Sequence, residues 1–301
     1  MRHNSNHRFR THIPVCRPHH MFGTEEQKQK YLVPLAKGEK LGAFGLTEPS
    51  AGTDASMQQT TAVLDGDEYV LNGTKVFITN AGYADTYVII AMTDKSKGTR
   101  GISAFIVEKD TPGFSIGKKE RKMGIRGSAT CELIFENCRI PKENLLGKEG
   151  QGFKIAMQKL DGGRIGVASQ DLGLAEGAID ECVKYVMERK QFGKKIGQMQ
   201  NTQFELADMA AKVEAVKLLV YEAACTKDAH GAYSHLAAMA KYLAGATASD
   251  VTRRCVQLFG GYGYTRDYPI ERMMRDAKIT EIYEGTAEVQ KIVISNWMKL
   301  K

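Results

Sequence analysis

Two kinds of hydrophobic pattern divide this chain. From Leu41 to about Leu146, apolar residues occur in short runs that are rich in β-branched and aromatic side chains and are bounded by turn residues, a pattern typical of strands. From Gln151 onward, apolar residues recur at steps of three and four, which predicts amphipathic helices. Because strands and helices do not alternate along the chain, the pattern argues against a Rossmann fold.

The strand region predicts a β-sandwich or barrel-like domain. Short strands are expected at residues 62–64, 69–71, 75–78, 86–92, 102–108, 115–118 and 131–138. The dipeptides Asp65-Gly66 and Asn72-Gly73 are typical of tight hairpin turns. Seven short strands within about 100 residues therefore indicate an antiparallel sandwich or barrel.

The helical region predicts a four-helix bundle. One apolar seam passes through Ala168, Leu172, Ala175, Ile179, Cys182 and Val186, and a second through Leu206, Met209, Val213, Val216, Val220 and Ala223. Further helices are expected at about 233–258, 270–283 and 286–298. Helices with such seams associate side by side. The fold class expected for the whole chain is α+β and multi-domain, with a β-domain at 41–148 and a helical bundle at 149–301.

The first 40 residues have a different character. Residues 1–20 are rich in Arg and His, contain no acid and show no period. Such a composition superficially suggests a transit peptide, but the segment has no amphipathic pattern, which favours a disordered or aberrant start. Residues 21–40 predict a short helix, because Thr24 followed by Gln27 is a capping-box pattern. Tyr31, Leu32 and Leu35 are expected to face inward, and Pro34 is expected to keep this helix short.

Composition excludes several classes of function. The net charge is +7, but four of these charges are arginines in residues 1–20, and the remainder carries 38 basic against 35 acidic residues. That balance does not indicate nucleic-acid binding. The six cysteines contain no CxxC pair, which favours reduced thiols that fill the core over a metal site. No apolar run approaches the roughly 18 residues of a membrane span.

The most informative stretch for chemistry is 278–290, KITEIYEGTAEVQ. Gly285 is expected to end one helix, and Thr286 to cap the next with Glu288 in its first turn. Glu284 would then lie at a break between two helices, where a carboxylate in apolar surroundings can act as a base. Taken alone, a Glu before a Gly is more often a solvated residue at a helix end, so both interpretations remain open.

Five separated motifs decide between them. These are FGLTEPSAGTDA (44–55), KVFITN (75–80), RKQFGKKIGQMQ (189–200), QLFGGYGYTR (257–266) and IYEGTAEVQ (282–290). In this order and at these spacings they closely resemble the acyl-CoA dehydrogenases, particularly the short-chain, butyryl-CoA type. The resemblance runs from about Met21 to the C-terminus. It implies an FAD-dependent oxidoreductase of fatty-acid β-oxidation that forms a homotetramer, in the cytoplasm of a bacterium or the mitochondrial matrix of a eukaryote.

The resemblance also implies a set of FAD contacts. Small residues in the 44–53 segment let backbone N–H groups approach the cofactor, and 77–79 match the segment that covers the flavin face, where the family usually has Trp in place of Phe77. The full set is Phe44, Gly45, Leu46, Thr47, Glu48, Pro49, Ser50, Ala51, Gly52, Thr53, Phe77, Ile78, Thr79, Arg189, Gln200, Gln257, Leu258, Phe259, Gly260, Gly261, Thr286, Ala287 and Glu288.

The residues that match the family's acyl-CoA contacts are Thr53, Asp161, Gly162, Gly163, Arg164 and Gly285. Relatives such as isovaleryl-CoA dehydrogenase carry their catalytic base just before the matching Arg, but here that position is Gly163. The resemblance therefore assigns the base to Glu284, as in the short- and medium-chain enzymes. Its neighbours Glu281 and Glu288 are expected to point elsewhere.

The resemblance implies the mechanism as well. Glu284 removes the α-proton of the thioester, the β-hydrogen leaves as hydride to the flavin, and electrons pass to electron-transfer flavoprotein. Full-length relatives begin with a helical domain that is almost entirely absent here, with 21–40 as its remnant. A frame-disrupted or truncated gene is one explanation. A non-catalytic flavin-binding or interaction subunit, and an oxidase of the same fold that delivers electrons to O₂, are the alternatives.

Overall fold

A computed structural model describes residues 15–300, which divide into two compact units. The first comprises the described residues up to Lys122 together with Arg126–Leu160; the second comprises Met123–Ile125 and the described residues from Asp161 onward. The division falls inside a long helix, beyond the boundary predicted at 148/149 from the change of period. The two units are described separately below.

The first unit begins with helix α1, which includes residues 15–22. Val15 and His19 are fully buried on it, and Val15 lies against Gly42. The prediction of a disordered start is therefore wrong for residues 15–20, because side chains of this segment enter the core of the unit. Residues 1–14 of that prediction lie outside the described residues.

The predicted short helix follows as α2 (Glu25–Gln27), a π-helical turn (Lys28–Leu32) and α3 (Val33–Lys37). Thr24 and Gln27 form the expected capping box. Tyr31 and Leu35 are buried and Leu32 is half-buried. The helical path continues past Pro34, because Pro34 lies in the first turn of α3, where its missing N–H is tolerated. The path ends at Lys37, where Gly38 has a left-handed φ of 74°.

One curled, seven-stranded sheet forms most of the first unit. Its strands are β1 (Gly42–Gly45), β2 (Thr61–Asp65), β3 (Glu68–Thr79), β4 (Thr86–Met92), β5 (Ile102–Glu108), β6 (Phe114–Lys119) and β7 (Thr130–Pro141). The order is β1-β4-β2-β3-β7-β6, and β5 pairs with β4. The sheet is mixed rather than purely antiparallel, because β1 and β2 both run parallel to β4.

The hairpin predicted at Asp65-Gly66 is confirmed: it joins β2 to β3, and Gly66 has a φ of 63°. The hairpin predicted at Asn72-Gly73 is wrong. The chain runs straight through as β3, and a register shift against β7 falls between Leu71 and Gly73. Pairing along the whole length of β7 outweighs the local preference of Asn-Gly for a turn. The sequence-based prediction also missed the short, glycine-containing strand β1.

The second unit is helical. Its elements are the larger part of α4 (Gly152–Glu188), a hairpin of β8 (Lys190–Gln191) and β9 (Lys194–Lys195), α5 (Gln200–Asp228), α6 (Ser234–Phe259), α7 (Ile270–Lys278) and α8 (Ala287–Trp297). Both predicted seams face the interior, and 3₁₀ turns follow α6 and α7 at Gly260–Tyr264 and Ile279–Glu281. Within residues 15–300, no helix combines the length and the apolar character needed to cross a membrane.

All six cysteines are free thiols, and Cys131, Cys138, Cys182 and Cys255 are buried. This agrees with the expectation that they mostly fill the core. Burial raises the pKa of Cys138 to about 11, so this thiol stays protonated and unreactive at neutral pH.

The irregularity in β3 generates a test. Gly73 has a φ of 144°, and a Cβ there would lie 2.6–2.9 Å from Oγ1, Cα and Cβ of Thr60. We expect Gly73→Ala to combine about 1–3 kcal/mol of backbone strain with a similar cost of overpacking. Gly66→Ala is the matched control, because Gly66 also has positive φ but has no atom within 4 Å of the added Cβ. Denaturant titration measures both variants, and equal losses of unfolding free energy would contradict the packing role of Gly73.

Candidate functional site

Glu284 lies at the break between two helices, as predicted. Helix α7 and its 3₁₀ extension end at Glu281, and Thr286 caps α8 by accepting the Val289 N–H at 3.3 Å. Between them Glu284 and Gly285 have φ values of 56° and 89°. A left-handed conformation costs a non-glycine residue about 1–3 kcal/mol and is concentrated at functional sites. We refer to residues 283–286, which contain the predicted base, as the catalytic turn.

The carboxylate of Glu284 points at Gly163 on helix α4. A Cβ built on Gly163 would lie 2.9 Å from Glu284 Oε2. The absence of a side chain at Gly163 therefore makes the space that the carboxylate occupies. Glu281 instead accepts a hydrogen bond from Lys278 Nζ at 2.5 Å, and Glu288 is exposed. The expectation that Glu281 and Glu288 point elsewhere is confirmed.

Arg164 and Asp161 lie beside this position on the same helix. Arg164 is buried and donates to Asp161 at 2.5 Å, and Ser234 also donates to Asp161 at 3.1 Å. Arg164 Nε has no hydrogen-bond partner in the structure. Burial lowers the pKa of Arg164, against the attraction of Asp161 and Glu284. A buried guanidinium with an unsatisfied donor suits a polar or anionic ligand group.

Sequence reasoning missed Lys241 and Gln290, which hold the catalytic turn. Lys241, in α6, is 1% exposed, and its Nζ donates to the Gly285 carbonyl oxygen at 2.5 Å. Gln290, in α8, donates from Nε2 to the same oxygen at 2.9 Å. A signal for Lys241 was present, because it falls on the face of α6 formed by Ala237, Ala244 and Ala248, where a charge is unexpected.

The segment 44–53, in the first unit, begins in β1 and continues as a tight loop. Glu48 and Ala51 are paired through both backbone hydrogen bonds, at 3.2 and 3.1 Å. The Glu48 carboxylate turns inward and accepts the Gln59 and Thr60 N–H groups at 2.6 and 3.0 Å. Four residues of the loop are exposed at its outer side: Pro49, Ser50, Gly52 and Thr53. We refer to Phe44–Thr53, the segment of predicted FAD contacts, as the flavin loop.

A buried lysine that the sequence-based prediction passed over anchors the flavin loop. Lys75 Nζ donates to Glu48 Oε1 and Gln58 Oε1, both at 2.6 Å, and to the Leu46 carbonyl at 3.2 Å. Burial lowers the pKa of Lys75 to about 8. Burial raises the pKa of Glu48, but Lys75 and the hydrogen bonds outweigh it and leave the pKa below its ordinary value. The pair is therefore ionic at neutral pH.

Phe77 has the unusual geometry expected of a functional aromatic residue. It lies in β3 with a left-handed φ of 59°, and its side chain is 63% exposed. Its neighbour Ile78 is buried in the sheet core, and Thr79 is exposed. Strain of this kind in a bulky residue persists only where the surroundings impose it.

The second unit has an open cavity of about 530 Å³ beyond the end of α6, on the protein surface. Five of the predicted cofactor contacts line it: Arg189, Leu258, Phe259, Gly260 and Gly261. The Arg189 guanidinium also lies over the Tyr262 ring at 5.5 Å. Gln200 and Gln257 are exposed and do not line this cavity, and Thr286, Ala287 and Glu288 form the start of α8 instead.

These residues fit a dinucleotide such as FAD. The cavity combines a guanidinium with two glycines, and such a set can accept a phosphate through charge and through close backbone N–H groups. The flavin loop presents exposed backbone from a rigidly anchored base. The Gly260–Tyr264 turn follows a helix, so its glycines do not form a Rossmann fingerprint.

Comparisons with known proteins point to one family. Residues 43–138 match the model described as "Acyl-CoA dehydrogenase, middle domain", and residues 150–299 match "Acyl-CoA dehydrogenase, C-terminal domain". The short-chain specific acyl-CoA dehydrogenase of Clostridium acetobutylicum is 65% identical over 273 residues, which cover 91% of this chain and 72% of the relative.

Solved structures similar to this chain point to the same family. Butyryl-CoA dehydrogenase from Megasphaera elsdenii superposes with a TM-score of 0.95 at 56% identity, covering 96% of this chain and 76% of that one. A second solved chain has a TM-score of 0.95 at 63% identity and the same coverage. It comes from a structural study of the electron transferring flavoprotein of Acidaminococcus fermentans and of flavin-based electron bifurcation.

The space at Gly163 generates a second test. Gly163→Ala should favour the helix by about 0.8–1 kcal/mol, yet its methyl group would displace the Glu284 carboxylate. A catalytic group displaced by about 1 Å can slow a reaction on the order of 100-fold. We therefore expect the rate of acyl-CoA oxidation to fall by roughly 10-fold to 100-fold. Gly166→Ala is the control on the same helix, with no atom within 4 Å of its added Cβ. If both variants kept the parent rate, Gly163 would not make room for the base.

The buried ion pair generates a third test. Glu48→Gln leaves the Lys75 charge without its partner and should lower stability by about 3–5 kcal/mol. Glu68→Gln is the control, because its pair with Arg139 is exposed on both sides and should contribute less than about 1 kcal/mol. Urea unfolding at pH 7 measures both.

The same ion pair predicts that the stability of the protein falls at acidic pH. Because the folded pKa of Glu48 lies below its unfolded value, its contribution to stability is complete above pH about 4.5 and is lost as pH falls through the folded pKa. The parent protein should lose stability in this range more steeply than Glu48→Gln. Parallel pH profiles for the two proteins would contradict the role of the pair.

Proposed function

The chain belongs to the acyl-CoA dehydrogenase family, and we propose that it oxidises a short-chain acyl-CoA such as butyryl-CoA to the trans-2-enoyl-CoA. The observation that carries this proposal is the catalytic turn, which directs the Glu284 carboxylate into the space left by Gly163. The substrate class is supported by the similarity to short-chain and butyryl-CoA dehydrogenases.

In this reaction Glu284 removes the α-proton of the thioester. The Glu284 backbone N–H donates to the thioester oxygen and stabilises the charge that develops on it, which favours the transition state over the bound substrate. The Asp161–Gly162–Gly163–Arg164 segment contacts the acyl-CoA. The Arg164 guanidinium, with its available Nε–H, binds a polar group of CoA.

FAD supplies the acceptor for the β-hydride when it is bound. The flavin loop and Phe77–Thr79 would hold one part of the cofactor, and Arg189 with Gln257–Gly261 would hold another part, reached from a neighbouring subunit of a homotetramer. Gln200 and the Thr286–Glu288 segment would complete the contacts. Sedimentation of the flavin-loaded protein at falling concentration tests this arrangement, since FAD release should track subunit dissociation.

Electrons then pass to electron-transfer flavoprotein. The 63% identity to a chain solved in a study of that partner supports this acceptor. An oxidase of the same fold would instead release hydrogen peroxide in air, and a non-catalytic flavin-binding subunit would bind FAD without turnover. A peroxide assay under air separates the first of these from the proposed acceptor.

The direct test of the assignment is Glu284→Gln. This variant keeps the shape of the turn and loses the base, so the dehydrogenation rate should fall by about 10²–10⁴ while FAD stays bound. Glu281→Gln is the matched control, three residues away and paired with Lys278. The assignment would be wrong if Glu284→Gln stayed within a few-fold of the parent while Glu281→Gln abolished turnover.

A further inference from the structure

The catalytic turn is held from three helices of the second unit. At its start, the Tyr283 hydroxyl donates to Gln170 Oε1 of α4 at 2.8 Å. At its end, the Gly285 carbonyl accepts Lys241 Nζ of α6 at 2.5 Å and Gln290 Nε2 of α8 at 2.9 Å. The left-handed pair Glu284–Gly285 lies between these anchors.

The lysine is the unusual member of this set. Burying an ammonium group is costly, and an apolar residue of similar size is often no less stable at such a position. Gln290 alone could satisfy the Gly285 carbonyl. A Lys at 1% exposure on an otherwise alanine-rich face of α6 therefore calls for an explanation beyond packing.

Two explanations are available from its surroundings. The charged groups that interact with Lys241 are Asp171 and Arg164 of α4, Glu281 of the 3₁₀ turn, Glu284 itself and Glu288 of α8. Asp171 is fully buried, so Lys241 could serve only to neutralise it. The hydrogen bond, however, goes to the Gly285 carbonyl, and this contact fixes the peptide that follows the base.

We propose that Lys241 is a positioning residue: through the Gly285 carbonyl it holds the catalytic turn so that Glu284 meets the α-carbon of the substrate. This inference rests on the proposed function of Glu284. Gln290 acts through the same carbonyl oxygen and supports the same geometry. On this account, the buried ammonium is kept despite its cost because its hydrogen bond helps to hold Glu284 in the left-handed region.

The experiment separates positioning from charge neutralisation by working in an Asp171→Asn background. Lys241→Met removes the donor and the charge, and it leaves Asp171 buried without this cation, so the single variant is expected to lose stability. In Asp171→Asn/Lys241→Met that charge is gone. If neutralisation of Asp171 were the whole role, the double variant would match Asp171→Asn in kcat and in proton removal from the substrate, whatever the difference in their stability.

The first measurement is kinetic. With butyryl-CoA we expect kcat of the double variant to fall 10-fold to 100-fold below that of Asp171→Asn, on the scale of about 10² for a misplaced catalytic group, while KM stays within about threefold. Gln290→Met, which removes the second donor, should lower kcat in the same direction. An unchanged kcat in both variants would overturn the proposal.

The second measurement isolates proton removal. Acetyl-CoA has α-hydrogens but no β-carbon, so Glu284 can break and re-form its α C–H bond with no net oxidation. In D₂O, deuterium entry into the acetyl group, followed by NMR, should slow in the double variant by the same factor as kcat. Equal exchange in the double variant and Asp171→Asn would count against Lys241.

The third measurement does not depend on the reaction. Backbone hydrogen exchange in peptides covering 279–290 should be faster in the double variant than in Asp171→Asn, since the turn has lost an anchor. If the parent neither oxidises butyryl-CoA nor exchanges the α-hydrogens of acetyl-CoA for deuterium, the proposed function fails, whatever the backbone exchange at 279–290 shows. If the parent is active and exchange at 279–290 is identical in both variants, the role of Lys241 fails alone.

Discussion

The site depends on keeping one glutamate in a left-handed backbone conformation that glutamate rarely adopts. Glu284 has a φ of 56° and is followed by Gly285 at 89°. Without restraint, Glu284 would leave this conformation, because the left-handed region costs a non-glycine residue about 1–3 kcal/mol. Anchors from α4, α6 and α8 prevent that change. Gly163, which has no side chain, leaves room for the Glu284 carboxylate.

The first unit solves a similar problem by similar means. A fully buried lysine holds the backbone of its flavin loop in place. Lys75 donates to the Leu46 carbonyl and pairs with Glu48, just as Lys241 donates to the Gly285 carbonyl in the other unit. Burial lowers the pKa of each lysine to about 8, so both remain largely protonated at neutral pH. In each unit a buried ammonium orders a carbonyl next to site residues.

Much of this could be predicted from the sequence, and the reasons differ by element. The seams of α4 and α5 follow from a period of three to four, which reports directly which side faces a core. The break at Glu284 follows from Gly285 and the capping residue Thr286, which act locally. The base was assigned by family resemblance, with Gly163 as the deciding position.

The failures share one cause, which is dependence on distant partners. Asn72-Gly73 has the local preference of a turn, but pairing with β7 keeps it within a strand. Residues 15–20 lack a period of their own, and Val15 is buried only because β1 and its neighbours cover it. Lys241 was recognisable as a charge on an apolar face, but its partner lies 44 residues away at Gly285, and no local pattern connects the two.

The central claim is that Glu284, so held, removes an α-proton while the flavin takes the β-hydride. Anaerobic titration of the FAD-loaded protein with butyryl-CoA tests it most directly. Each equivalent of substrate should bleach the oxidised flavin absorbance and yield an equivalent amount of crotonyl-CoA, up to the reaction's equilibrium position. Binding of butyryl-CoA to a flavin that stays fully oxidised, with no enoyl-CoA formed, would contradict it.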